Sequence, residues 1–282
     1  VANGRGLFGG IFASGVKATA EDVTISISGG SFGNVFGGGW AQKGGTSVVD
    51  DVEISISGGT IANIFGGGAH SDSQGSEGST TVVDDVAILV TGGNITGNIF
   101  AMGQADGDAV VGDEVSVTFS GGTDFGCNVW GYSYLRGPAS DATLSYTDYT
   151  GTFSGEIGGF VGITLDGATA MTLSTAADDV SNTAWKFDAA ERDATLAGTA
   201  FLNWTAADFA GDTITLNLAE GDATAWSLVG AAADTAYGTF DVQLDGADIA
   251  TGLELNQAIA DGDYKGWGFA VEESVLKFKN LA

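Results

Sequence analysis

Five acidic residues recur at similar spacing along the first half of the chain: Asp22, Asp51, Asp85, Glu114 and Asp141. Each stands immediately before a run of alternating residues, and Glu21, Asp50, Asp84 and Asp113 precede four of them. Carboxylates are hard oxygen ligands, so a column of them could bridge calcium together with loop carbonyls. Without cations, aligned like charges repel and must splay into water. The spacing leaves both outcomes open, a solvated acidic face or calcium-bridged carboxylates, and no cofactor other than calcium is expected.

Other chemistry-bearing residues are sparse. The cationic candidates among residues 1–160 are Arg5, Lys17, Lys43, His70 and Arg136, scattered over different segments. Cleavage of a polysaccharide needs neighbouring carboxylates, usually with a base or a cation beside them. The sequence holds no HExxH, GxSxG, P-loop or Cys/His metal spacing. Catalysis is therefore not expected, and a polysaccharide-degrading enzyme ranks third among the functions considered. The single cysteine, Cys127, excludes a disulfide within the chain and reads as a small buried hydrophobe.

Charge narrows the partners. Thirty-six acidic residues against 9 basic ones give a net charge of −27, which repels nucleic acid and anionic membrane. Hydrophobic residues make up 44% of the chain, enough for a folded core. No apolar run approaches the ~18 residues of a membrane span, so membrane insertion is not expected. The chain begins with Val and shows no signal peptide, which suggests a mature chain whose leader has been removed.

The acidic residues are periodic because the elements behind them are. "VTISISGG" begins at Val23, "VEISISGG" at Val52, "VAILVTGG" at Val86 and "VSVTFSGG" at Val115, in steps of 29, 34 and 29 positions. The period-two alternation predicts strands with one buried face, and the glycine pair a tight turn or bend. A second block follows each: "GNVF" at Gly33, "ANIF" at Ala62, "GNIF" at Gly97 and "CNVW" at Cys127. A third segment, such as "TSVVDD" at Thr46, completes the unit. Three strands and their corners in about 29 residues predict one coil of a parallel β-helix (β-solenoid) over residues 1–158. One coil cannot bury its own apolar face, and its neighbours supply the rest.

Stacked coils align Asn34, Asn63, Asn98 and Asn128 as an asparagine ladder, with Phe36, Phe65, Phe100 and Trp130 as an aromatic stack. Recurrence at one position of every coil marks these as structural. The longer second step comes from "AHSDSQGSEGSTT" (Ala69–Thr81), a polar surface loop that carries the only histidine.

Beyond Gly159 the repeat is lost, but strand-like runs continue, among them "VGITL", "NTAWKF", "TITLNL" and "SVLKFK". Residues 159–282 are expected to form a β-rich C-terminal domain, either an antiparallel β-sandwich or a cap over the last coil. "ADIATGLELNQAIA" (Ala247–Ala260) is the one place where a helical turn is expected.

The "SGGTIANIFGGG" type of repeat, followed by "YKGWGFAVEESVLKFKNLA", resembles repetitive passenger regions of bacterial autotransporter-adhesin surface proteins. That resemblance implies export, exposure at the cell surface, and adhesion or matrix formation. The family's outer-membrane barrel, a series of ~10-residue alternating strands, is not seen here. The expected function is an extracellular structural subunit that self-assembles end to end into a filament or matrix. The alternative is a monomeric adhesin module binding glycans or a host surface. Assembly is expected through exposed strand edges at the two ends, namely Val1, Leu7, Phe8, Ile11 and Phe12 at one and Val275, Leu276 and Phe278 at the other.

Overall fold

The computed structural model describes residues 6–71, 79–104, 109–111, 114–132, 142–166, 171–173, 183–190, 192–204, 209–230 and 237–282. The protein is all-β with mostly parallel sheets, and its contacts divide it into two compact units. The first comprises Val1–Phe119, Phe125–Leu144 and Gly155–Phe160, and the second Ser120–Asp124, Ser145–Ser154 and Val161–Ala282.

In the first unit the alternation in sequence becomes alternation in burial. Ile25 and Ile27 point inward while Thr24 and Ser26 are exposed, and Ile54 and Ile56 repeat the arrangement on the next strand. The register pairs Val23 with Val52, Val52 with Val86, and Val86 with Val115, all in parallel. Between successive visits to this sheet the chain enters two others. One holds Phe12–Ser14, Trp40–Gln42 and Ala69–Ser71; the other holds Lys17–Ala20, Thr46–Val49, Thr80–Val83 and Ala109–Val111. Three sheets visited in turn allow parallel pairing without helical crossovers, each strand meeting its counterpart one repeat later.

In the first three repeats the glycine pair does not end the strand. Val23–Phe36 and Val52–Phe65 each run as 14-residue strands through it, with register shifts between Ile27 and Ser31. Gly30, Gly59, Gly93 and Gly121 sit there at φ of +91°, +91°, +95° and +83°, a conformation that side chains disfavour. In the first three repeats the pair is thus a bulge within one continuous strand, whereas Val115–Gly121 ends at it. A second glycine position is set by space: a Cβ on Gly66 would lie 2.1 Å from the Ala101 carbonyl oxygen of the next repeat.

The second unit departs from an antiparallel sandwich. Gly162–Asp166, Ala184–Asp188, Thr213–Leu218 and Thr239–Leu244 pair in parallel, aligning Ile163, Trp185, Ile214 and Phe240 in the core. A second sheet is parallel from Thr152–Phe153 through Met171–Leu173 and Leu202–Trp204 to Trp226–Gly230. Among the described strands, antiparallel pairing enters only with the last three, Ala247–Leu253, Trp267–Glu272 and Val275–Asn280. The expected helical turn in Ala247–Ala260 is corrected too: Ala247–Leu253 is a strand hairpinned onto Thr239–Leu244 through Asp245 and Gly246, both at positive φ. The Asp-Gly pair outweighs the helix-like apolar spacing behind it because it fits a tight hairpin turn.

Candidate functional site

Asp22, Asp51, Asp85 and Glu114 line one open groove of about 740 Å³, walled by Val23, Val52, Val86 and Val115 on the strands that follow them. Asp141 and Asp113 lie outside the described residues. The backbone places the acids one repeat apart: Val23 N–H donates to the Asp51 carbonyl (2.7 Å), Val52 to Asp85 (2.9 Å) and Val86 to Glu114 (2.9 Å). Those carbonyls each accept one hydrogen bond, which leaves each a second lone pair. Asp85 Oδ1 accepts from the Glu114 N–H at 2.9 Å. The Asp51 carboxyl is held above its ordinary range by desolvation first, then by the negative charges of Asp22, Asp85 and Asp84. Among the described residues, no group of three or more His, Cys, Asp or Glu converges closely enough to hold a metal ion.

The asparagines meet, but differently from a uniform ladder. Asn63 Nδ2 donates to Asn34 Oδ1 at 3.0 Å, and Asn98 donates to Asn63 Oδ1 through its backbone N–H (3.0 Å) and Nδ2 (3.4 Å). Asn98 Oδ1 then accepts from Trp130 Nε1 at 3.4 Å, and Asn128 Oδ1 from the Glu156 N–H at 2.9 Å. All four are half-buried, at the margin of the core. The Phe-to-Trp change at Trp130 accounts for the bond to Asn98 Oδ1, because the indole brings a donor that phenylalanine lacks. Alongside, Phe36 stacks on Phe65 at 4.7 Å and Phe65 on Phe100 at 5.2 Å, with Phe8 extending the column at 4.5 Å from Phe36. Trp130 joins the same buried cluster.

The two sets of assembly residues part company. Val1 lies outside the described residues. Leu7–Phe8, Phe12–Ser14 and Lys17–Ala20 are each paired on one side only among the described strands. Phe8, Gly10, Ile11, Phe12 and Trp40 line an apolar cleft of about 260 Å³, and Phe12 and Val16 are 58% and 63% exposed. Leu7 is half-buried at the same edge. Val275, Leu276 and Phe278 are corrected: their strand is paired on both sides, with Trp226–Gly230 and Trp267–Glu272. Leu276 and Phe278 are fully buried and Val275 half-buried, so this strand has no open edge for a second chain.

Sequence reasoning missed a polar column in the second unit. Asn217 Nδ2 donates to Asp188 Oδ1 (3.0 Å), and Asn217 Oδ1 accepts from the Gly246 N–H (2.8 Å). Asp212 is 1% exposed and accepts from the Thr183 N–H (3.0 Å) and Trp185 Nε1 (2.9 Å). The available signal was the position of Asp188 and Asn217, each directly after an alternating apolar triplet, "WKF" and "ITL". A scan against protein-family models, a search of curated proteins and a search of solved structures each found no match.

Proposed function

We propose that the first unit is a parallel β-helix and that the chain is a structural module of an extracellular or cell-surface assembly. The observation that supports this most is the in-register recurrence of whole rungs. Val23, Val52, Val86 and Val115 pair in sequence, and Phe36, Phe65 and Phe100 stack beside them. Repetition of this kind spends the chemistry-bearing positions on coil-to-coil contact. Among the described residues, the acidic groove is lined by carboxylates, hydroxyls and aliphatic groups, with no basic or thiol side chain. That lining favours a scaffold over a catalyst. The adhesin-like repeat favours the surface location, and the net charge of −27 keeps such a module soluble and away from nucleic acid.

Self-association in this proposal runs through the N-terminal face rather than through Val275–Asn280. Three strand edges that are one-sided among the described strands, with the exposed Phe12 and Val16, are suited to adding a further coil of a second copy. Light scattering across a concentration series tests it, with negative-stain microscopy of the same samples. Association that is lost in Phe12→Asp/Val16→Asp, with circular dichroism unchanged, supports the proposal. A wild-type protein that stays monomeric at high concentration and binds a glycan array contradicts it.

A further inference from the structure

The outer strands of the two units are finished differently. In the second unit, the free side of Trp267–Glu272 is covered by a loop of the same chain: the Asn256 N–H donates to the Phe269 carbonyl and the Ile259 N–H to the Trp267 carbonyl, both at 2.7 Å. Ala258 and Gly268 bridge the two segments so closely that a Cβ on Gly268 would lie 2.2 Å from the Gln257 carbonyl oxygen. The other outer strand, Ala247–Leu253, pairs with Thr239–Leu244 through a register broken between Phe240 and Gln243. Its Asp248 is exposed, and its Gly252 sits at φ +65° with the N–H held by Asp241 Oδ1 at 2.7 Å. Bulges, a charge and a covering loop are means by which a sheet edge is kept from recruiting another chain.

The N-terminal edge of the first unit lacks these devices among the described residues. Leu7–Phe8, Phe12–Ser14 and Lys17–Ala20 pair in unbroken register with the strands behind them. Residues 6–20 hold Lys17 and no acidic residue, so two chains of charge −27 can meet there without opposing carboxylates. Phe12 is both exposed and part of the wall of the apolar cleft with Phe8, Gly10, Ile11 and Trp40. Knob and hollow thus lie on one face, as a self-complementary two-fold contact requires. The charges agree with that symmetry. Two copies of Lys17–Ala20 related by a two-fold axis across the strand run antiparallel, and centring on Thr19 sets Lys17 of each copy opposite Glu21 of the other. Lys17, Thr19 and Glu21 are all exposed. We infer that the N-terminal face takes the same face of a second copy, edge to edge and antiparallel, and that association closes at a dimer. The inference rests on the self-association proposed above and names its partner surface and its limit.

Sedimentation equilibrium of the full chain across a concentration series reads the limit: the mass should rise to twice that of one chain and stop there. Mixed unlabelled and 15N-labelled copies, treated with a zero-length carbodiimide, should yield a Lys17–Glu21 cross-link in mixed-isotope form. Lys17→Glu sets like charges opposite each other at both symmetric positions and should weaken the dimer by about tenfold. Lys17→Glu/Glu21→Lys restores opposite charges and should recover it, with circular dichroism unchanged throughout. Mass that keeps growing beyond the dimer, with filaments in negative stain, overturns the two-fold contact and leaves N-terminal self-association standing. A monomer at every concentration overturns both. A dimer indifferent to Lys17→Glu, or one without the mixed-isotope cross-link, overturns the antiparallel edge pairing.

Discussion

Replacing Asn63 by alanine tests whether the asparagines hold one repeat to the next. Asn63 gives one hydrogen bond to Asn34 Oδ1 and receives two from Asn98, one of them from a backbone N–H. A net hydrogen bond contributes about 1 kcal/mol, and a stranded buried donor costs more. Asn63 is half-buried, so water recovers part of the loss, and a cost of about 2 kcal/mol follows for the three bonds together. With a urea slope of roughly 3 kcal/mol per molar for a chain this long, the unfolding midpoint should fall by about 0.7 M. Asn94→Ala is the control: it is exposed on the strand Val86–Ile95 and should stay within about 0.5 kcal/mol of wild type. Equilibrium unfolding by tryptophan fluorescence and circular dichroism reads both, and coincident transitions license the comparison. Equal midpoints for the two variants would refute the argument, because the asparagine bonds would then contribute nothing beyond surface solvation.

Two further outcomes follow from charge and burial. The Asp51 carboxyl is held above its ordinary value, so its ionised form is less favourable in the folded chain than in the unfolded one. Its charge therefore subtracts stability at neutral pH, and Asp51→Asn should raise the thermal midpoint at pH 7. That gain should shrink as pH falls through the raised range and vanish below about 4. A gain that persists at pH 3 would contradict the repulsion, and one abolished by millimolar calcium would show that ions bridge the groove. Burial pushes the Cys127 thiol up to about 12. It should be inert to an aromatic disulfide reagent at pH 8 in the folded protein and react fully once unfolded; rapid reaction while folded would contradict its burial.

The periodic half of the chain was legible because one signal served two levels. The alternation of Val23, Ile25 and Ile27 specified the buried face, and its return at Val52, Val86 and Val115 specified the pairing register. The bulge was not legible, since Gly29-Gly30 suits a turn and a kinked strand equally, and only pairing to the next repeat decides. Parallel pairing in the second unit was hidden for a different reason. Ile163, Trp185, Ile214 and Phe240 share a position but no chemistry beyond apolarity, so the eye finds no repeat. Leu276 and Phe278 looked like a free terminal strand because sequence shows alternation but not the two partners that cover it.

Cysteine trapping of register tests the central claim, a parallel stack of repeats, most directly. Thr24 and Ala87 are the register partners of Glu53 on its two sides, and all three are exposed. Adjacent parallel strands lie about 4.8 Å apart, within the range of a disulfide, whereas a partner displaced by two residues lies roughly 8 Å away and beyond it. Under mild oxidation, Thr24→Cys/Glu53→Cys and Glu53→Cys/Ala87→Cys should each form an intramolecular disulfide, and Glu53→Cys/Leu89→Cys should not. Disulfides at both in-register pairs with the displaced pair unreacted are the predicted result. Failure of the in-register pairs in a folded protein, or equal yield from the displaced one, would contradict the account.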